Sequence, residues 1–482
     1  MPTNTKPTKR RAAGPRRKTG CYTCRSRHLK CDEEKPQCGN CARKGYDCVQ
    51  AESFISATSA APKKLPKHPR PTNSTPKDAP SRERDQTSHS LSTWDVFNLS
   101  PSSLPRPLPA GATASDTVDI LDQETVELLR AFQGGIATWM DLFDHSMSYQ
   151  REGSRLALRS TLIRESICSI SSKQLELVGN RSLWAPVAAR RYGKSLRLLI
   201  DACADGDADQ QEVLMATILL CSVELLAAPE SDHKRHLFGA ATLVKSRKID
   251  ASSTGLDRAS FWLYARLDLA MGLMNECPTV LSSDDWNASW TEHESNEDNL
   301  GNHMLWLCSR IVNFVFGTHP SASERENGDA WRRLMEAVDA WFERIPAVCM
   351  GSSYGVQDQF GFEEWWFPVP AAAAAIATYH EAKLLLPAEH RQRTKFEVPF
   401  PGHGDPDSRV QDHASKIGSI GISKSPDAAL VQAVQLLYFA AKYIHGLDRK
   451  ARLWGVLSRI ETNLGFHTAS RLKQLRNLTE TT

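Results

Sequence analysis

The sequence predicts a large all-α domain behind a small, cysteine-organised N-terminal module, with a disordered linker between them. Three observations predict it. Six of the twelve cysteines lie within residues 21–48. Residues 51–118 hold ten prolines among many Ser, Thr and Lys. From about residue 119, apolar residues recur every three or four positions, and convincing alternating strands are absent. The 482 residues are a prior for about three domains. At 41% hydrophobic and 24% charged, the chain is neither wholly disordered nor collagen-like.

The net charge is only +3, but its distribution is uneven. Residues 1–50 carry 13 Lys/Arg against 4 Asp/Glu, whereas residues 119–482 carry 38 against 46. A basic head on an acidic body suggests an anionic partner for the head, with nucleic acid the leading class. The basic arm of residues 1–20 has no apolar stretch, which argues against a secretory signal. Pro2, Pro7, Gly14 and Pro15 oppose the amphipathic helix of a mitochondrial presequence. No uncharged apolar run is long enough to cross a bilayer, so no membrane partner is expected.

The cysteine block reads Cys21-x2-Cys24-x6-Cys31-x6-Cys38-x2-Cys41-x6-Cys48, one half written twice. Each half offers three thiolates, and structural zinc takes four. Two zinc ions need eight sulfur bonds from six sulfurs, so two sulfurs must bridge, at equivalent positions if the halves are symmetric. Three disulfides are one alternative, but they need an oxidising compartment. A single zinc with two spare thiols is another. Tyr22, Leu29, Tyr46 and Val49 are most of the apolar content, so metal must supply most of the folding free energy.

The run Cys21-Tyr22-Thr23-Cys24-Arg25-Ser26-Arg27-His28-Leu29-Lys30-Cys31-Asp32-Glu33, with Lys35-Pro36-x-Cys38 and Cys41, resembles the fungal Zn(2)-C6 binuclear-zinc-cluster transcription factors. The resemblance implies two structural zinc ions per cluster and no catalysis. Cys21 and Cys38 would bridge, Cys24 and Cys31 would complete one zinc, and Cys41 and Cys48 the other. It implies a DNA-binding domain over 21–50 whose first helix enters the major groove. Arg27 and His28 occupy the base-reading positions, and the family commonly reads CGG triplets. An arginine fork pairs well with guanine O6 and N7. Arg25, Lys30, Lys35, Arg43 and Lys44 are read as phosphate contacts, against the plain alternative of solvated surface charges. Lys9-Arg10-Arg11 and Arg16-Arg17-Lys18 form a nuclear-import candidate, or add nonspecific phosphate attraction.

Residues 51–118 cannot bury enough surface to fold and show no heptad pattern. Dimerisation would then come from the helical body, unless the chain binds DNA as a monomer. In the body, Ala189, Tyr192, Leu196, Leu199, Ile200 and Cys203 form one stripe, with Arg190, Arg191, Lys194 and Arg197 pointing elsewhere and Pro186 in a first turn. Trp331, Leu334, Met335, Val338, Trp341, Phe342 and Ile345 form a second, ended by Pro346. Similar stripes in 158–170, 212–227, 259–274, 303–316, 371–386, 428–445 and 452–464 give roughly ten helices. Segments 204–210, 283–301, 318–328, 346–370 and 387–426 read as loops.

Trp139, Asp141, Phe143-Asp144, then Tyr192-Gly193-Lys194-Ser195-Leu196, His236-Leu237-x-Gly239-Ala240 and Phe261-Trp262-x-Tyr264-x-Arg266-x-Asp268 resemble, in their order, the fungal-specific regulatory domain found behind such clusters. The likeness covers roughly 119–470 and implies a helical regulatory domain with an effector or coactivator as partner. Trp262, Tyr264, Trp331 and Trp341 read as core, and His236 and Arg266 as satisfied polar groups near helix ends. Glu292–Asp298 reads as a solvated acidic loop or a coactivator contact. Gly351-Ser352-Ser353-Tyr354-Gly355 matches a nucleophile elbow in letters but lacks the strand before and helix after. Asp205-x-Asp207-x-Asp209 fails as a calcium loop at Gln210 and Ala216.

The expectation is a nuclear, RNA polymerase II-type, sequence-specific transcription regulator, not an enzyme. Regulators of this build often sit beside metabolic or secondary-metabolite gene clusters, which makes control of such a cluster a further expectation. Two rivals are a metal- or redox-responsive zinc module on an effector-binding protein, and a helical enzyme with a DNA-binding appendage.

Overall fold

The computed structural model describes residues 31–32, 34, 37–44, 121–227, 233–291, 296–317, 324–355, 357–393 and 406–480. They fall into two units, divided between residues 107 and 108. The expected linker at 51–118 lies outside the described residues.

In the first unit the described residues form one short helix, α1 (Gly39–Lys44). The second unit is mostly helical and begins with α2 (Gln123–Ala131), where the Asp122 side chain accepts the Thr125 N–H at 2.7 Å as an N-cap. A π-helical segment at Phe132–Ile136 carries the chain into α3 (Ala137–Met140). A second π-helical segment, Tyr149–Gly153, leads to α4 (Ser154–Leu156). The long helices α5 (Thr161–Val178) and α6 (Arg181–Ala204) follow, each with a side-chain N-cap, Ser160 and Asn180. They pack against each other, and α5 also packs on α7 (Gln210–Ala227). In α7 every residue from Val213 to Val223 is buried, so this helix is enclosed on all sides.

Next come α8 (His233–Ser246), α9 (Gly255–Asn275), α10 (Glu297–Phe316) and α11 (Glu324–Arg344). Strands β1 (Ser352–Ser353) and β2 (Trp365–Trp366) pair antiparallel. The chain closes with α12 (Pro370–Arg393), α13 (Pro406–Ile422), α14 (Asp427–Gln432), α15 (Val434–Tyr443), α16 (Leu447–Leu464) and α17 (Ala469–Glu480). Helix α12 packs between α10 and α13, and its Ala371–Ala377 run is buried throughout. Small side chains let those helices approach closely. The closest approach is elsewhere: a Cβ on Gly301 of α10 would collide with the Phe143 ring.

The all-α reading holds, with corrections. The second stripe is buried as expected: Trp331, Leu334, Val338, Trp341 and Ile345 all face the core. The first is rotated. Ala188, Arg191, Ser195 and Leu199 are the buried residues of α6, while Ala189, Ile200 and Cys203 are exposed. An arginine sits inside because it is paired. Arg191 Nη1 donates to both Glu165 oxygens at 3.0 Å, and its Nε and Nη2 donate to Glu124 Oε1 at 3.0 and 2.6 Å. Pro186 lies in the second turn, since Asn180 caps the helix six residues before it.

Several loops are shorter than expected. The 387–426 segment contains the end of α12, which runs through Pro387, and the whole of α13. That helix buries Val410, Ala414, Ile417 and Ile420, a stripe diluted in sequence by Gly, Ser, His and Lys. Glu297 and Asp298 are the first turn of α10, capped by Asn296, and Asp298 is buried. The rest of the expected acidic loop, 292–295, lies outside the described residues. Expected helix 428–445 is two helices, α14 and α15.

Candidate metal centre and DNA-facing module

In the head, Cys38 sits just before α1, and its carbonyl accepts the N–H groups of Cys41 at 3.0 Å and Ala42 at 2.9 Å. The Cys-x2-Cys spacing therefore spans the first helical turn, which places both cysteines on one side of a tight bend. Both are almost fully buried, although the helix has only six residues. Cys31, from the first half of the block, reaches the same place. One ligand atom each from Cys31, Asp32 and Cys38 lies within 4.8 Å of the others.

This cluster passes a simple test for zinc. Two sulfurs at about 2.3 Å from one tetrahedral zinc lie about 3.8 Å apart. Soft thiolates drawn from both halves into one small volume are the donor set zinc takes. Cys41 lies outside the cluster of three, as it would if it served a second ion.

Sequence reasoning missed Asp32 as a structural group. Its Oδ1 accepts the Gly39 N–H at 3.1 Å, covering one of the open donors at the start of α1. A Cβ on Gly39 would sit 2.7 Å from Asp32 Oδ2, so the glycine keeps that approach open. The available signal was an acidic residue directly after the third cysteine of a basic block.

Of the expected phosphate contacts, Arg43 and Lys44 are described, and both are exposed in the last turn of α1. Arg43 is partly engaged within its own helix, donating from Nε to the Gly39 carbonyl at 3.2 Å and from Nη2 to Asn40 Oδ1 at 3.1 Å. Basic groups at a helix C-terminus also favour the helix dipole. Cys21, Cys24, Cys48, Arg25, Arg27, His28, Lys30 and Lys35 lie outside the described residues. So does the arm with Lys9, Arg10, Arg11, Arg16, Arg17 and Lys18.

In the body, the quoted motif residues do structural work. Asp141 accepts the N–H groups of Tyr149 and Gln150, both at 2.9 Å. Burial pushes its carboxyl up to about 6 against those two bonds. Asp268 accepts the N–H groups of Val280 and Leu281, both at 2.8 Å. Trp262, Tyr264, Trp331 and Trp341 are core, as expected. Arg266 is satisfied, but from the middle of α9: its guanidinium caps the carbonyls of Trp139 and Met140 at the end of α3. His236, in the first turn of α8, places Nδ1 2.7 Å from Glu224 Oε1. Ser352 and Ser353 are exposed in β1, paired with Trp366 and Trp365, which is not the strand–turn–helix of a nucleophile elbow. No helix among the described residues is long and apolar enough to cross a membrane.

Comparison with known proteins agrees with this geometry. Residues 19–56 match the fungal Zn(2)-Cys(6) binuclear cluster domain, and residues 127–321 match the fungal specific transcription factor domain. A transcription activator of Alternaria alternata, AMTR1, is 23% identical over 335 residues, covering 55% of this chain and 43% of that protein. White-opaque regulator 2 of Candida albicans is 54% identical over 41 residues, covering 8% of this chain and 9% of the relative. The transcriptional regulatory protein moc3 of Schizosaccharomyces pombe is 56% identical over 43 residues, covering 9% of this chain and 8% of that protein. The chain thus spans less than half the length of each of these relatives. No solved structure matches it.

The matched domains and relatives are transcription factors, not enzymes. The cluster domain binds two structural zinc ions, which decides for metal over the disulfide and single-zinc alternatives. With that domain ahead of a helical fungal-specific transcription factor domain, the chain is similar, domain by domain, to fungal Zn(2)-C6 transcription factors.

Proposed function

We propose that this protein is a sequence-specific DNA-binding regulator of transcription by RNA polymerase II, acting in the nucleus. The observation that carries the reading is the meeting of Cys31 and Cys38, one from each half of the cysteine block, beside a helix that begins directly after Cys38. Cys21, Cys24, Cys31, Cys38, Cys41 and Cys48 would hold the two zinc ions, with Cys21 and Cys38 bridging. Bound zinc would supply rigidity, holding the six-residue α1, which is too short to stand alone. Arg27 and His28 would then face base edges of a CGG-like triplet, with Arg27 on guanine. Arg25, Lys30, Lys35, Arg43 and Lys44 would position the module on phosphates. The basic groups at 9–11 and 16–18 would serve nuclear import.

One triplet is too short a site to be selective in a genome, so a second copy joined through the helical body, or extra arm contacts, would lengthen it. On the family resemblance, the targets are genes of a metabolic or secondary-metabolite cluster, which genome-wide mapping of occupied sites would identify.

The direct test is titration of duplexes with and without a CGG triplet against the zinc-loaded full chain. Arg27→Ala should keep its zinc content but lose roughly 1–3 kcal/mol of preference for the triplet. Equal binding to both duplexes by the unmodified protein would refute the reading.

A further inference from the structure

Helices α12 and α13 pack along one seam of the body, and two histidines meet across it. His380 Nδ1 of α12 lies 2.9 Å from His413 Nδ1 of α13. Both side chains are half-buried. The Tyr379 ring stands edge-on to both imidazoles, with centroids 5.1 and 6.2 Å away, and stacks at 4.3 Å on Phe342 of α11.

The contact allows few protonation states. An imidazole nitrogen either donates or accepts. A bond between two Nδ1 atoms therefore needs a proton on one ring and a lone pair on the other. Two neutral imidazoles supply that arrangement, with one ring in each tautomer. Two imidazoliums do not, because each would aim an N–H at the other.

The surrounding charges nearly cancel. Lys383 of α12 donates to Asp339 of α11 at 2.6 Å. Lys416 of α13 lies 3.6 Å from Glu363. Arg409 and Asp412, also on α13, act on His413 and on Tyr379 respectively. Helix α16 contributes Arg449, held on Ser415 Oγ at 2.7 Å. Helices α10, α14 and α15, which also pack here, add no charge among those acting on either ring. Resistance to a proton therefore comes from burial and from the facing nitrogens, not from a positive field. Burial holds both imidazoles below the ordinary 6.5, His413 at about 4.

We propose that the His380–His413 contact is an acid-released latch: as a neutral pair it holds α13 on α12, and proton uptake by both rings frees α13. Separated helices return the rings to water, where each charges below about 6.5. The closed form binds fewer protons than the open one. The latch is therefore intact above pH 6.5 and weakens as pH falls toward 4. Each proton taken up on opening multiplies the opening equilibrium by about tenfold per pH unit, so two give up to about a hundredfold. The device lies wholly in the helical body and stands independently of the DNA reading above.

The test is hydrogen exchange of the zinc-loaded full chain between pH 7.5 and 5, read by mass spectrometry and corrected for intrinsic exchange rates. Opening of α12 and α13 should rise by more than tenfold per pH unit below 6.5, while α5 and α6 change less. His413→Asn keeps an amide atom where Nδ1 stood but cannot titrate, so it should reduce the rise to tenfold per unit or less. Histidine-selective NMR on the unmodified protein needs no variant: both imidazoles should stay neutral at pH 5.5 while the seam is closed. An ordinary titration near 6.5 for either ring in the closed form would overturn the proposal. So would a rise of tenfold per unit or less in the unmodified chain, or an equal rise in α5 and α6.

Discussion

Cysteine does opposite jobs in the two regions of this molecule. In the head, Cys38 and Cys41 are buried beside a six-residue helix, where little apolar surface is available to cover them. In the body, Cys168, Cys221 and Cys308 are buried among helices of 18 residues or more. Burial pushes the Cys168 thiol up to about 12, and it raises those of Cys221 and Cys308 as well. Those thiols stay neutral and act as small apolar filler. The head needs the thiolate, because metal takes the place of a core. Burial of a cysteine therefore says nothing of its role until the size of the surrounding core is known.

Removing zinc should separate the regions most sharply. Chelation should unfold the head and abolish DNA binding while far-UV circular dichroism keeps nearly all its helical signal, since among the described residues the cluster of possible metal ligands lies in the head and the body's helices pack on an apolar core. Cys38→Ala should lower the bound zinc below two per chain by elemental analysis, whereas Cys308→Ala should leave it at two. A helical signal that collapsed on chelation would break the comparison.

The body's own weak point is a buried charge cluster. Glu165 is 2% exposed and bonds both Arg191 and Lys194. Glu165→Gln should cost about 3 kcal/mol in denaturant unfolding, because it leaves a buried guanidinium short of its counter-charge. Zinc content and DNA affinity should not change.

How much of this was legible depends on whether neighbours in sequence carried the information. The stripe from Trp331 to Ile345 was legible, because α11 shows the core one apolar face and solvent another. Arg191 was not, because its burial depends on Glu124 and Glu165, 67 and 26 residues away. Helix α13 was hidden because Gly, Ser and His dilute its stripe and prolines flank it. In the head, the spacing of six cysteines carried the metal reading by itself, while the Asp32 contact to Gly39 spans seven residues and needs the fold. The apolar cavity lined by Trp139, Ile170, Leu226, Leu263 and Phe466 could not be foreseen, since its walls come from six separate parts of the chain.

Acid should act on the two regions in opposite directions, once one group in the body is isolated. Asp141 has a folded pKa of about 6 against an ordinary 3.8, so between these values the folded state binds more protons than the unfolded. Its contribution to stability therefore falls as pH rises from about 4 to 6, by about 3 kcal/mol at 1.36 kcal/mol per unit. Asp141→Asn cannot titrate, so the stability difference between it and the unmodified protein should follow that curve. In the head the sign is reversed: protons compete with zinc for thiolates, so the fold weakens as pH falls.

The smallest expected effect concerns Lys44, in the described part of the surface proposed to face DNA. Lys44 is exposed at the end of α1, where it can neutralise a phosphate or merely complement the helix dipole. The two roles differ in their salt dependence. If Lys44 contacts phosphate, Lys44→Ala should weaken binding to triplet and non-triplet duplexes alike and reduce the slope of log affinity against log salt by about 1. If it serves only the helix, the slope stays unchanged and the variant loses a few tenths of a kcal/mol of head stability, by about the amount an exposed dipole interaction supplies. Arg43 is the control on the same turn. Its bonds to Gly39 and Asn40 already engage part of its guanidinium, so Arg43→Ala should change the slope by less than Lys44→Ala does. An equal change for both would mean that α1 lies flat along the phosphate backbone, with both basic side chains of its C-terminal turn on phosphate.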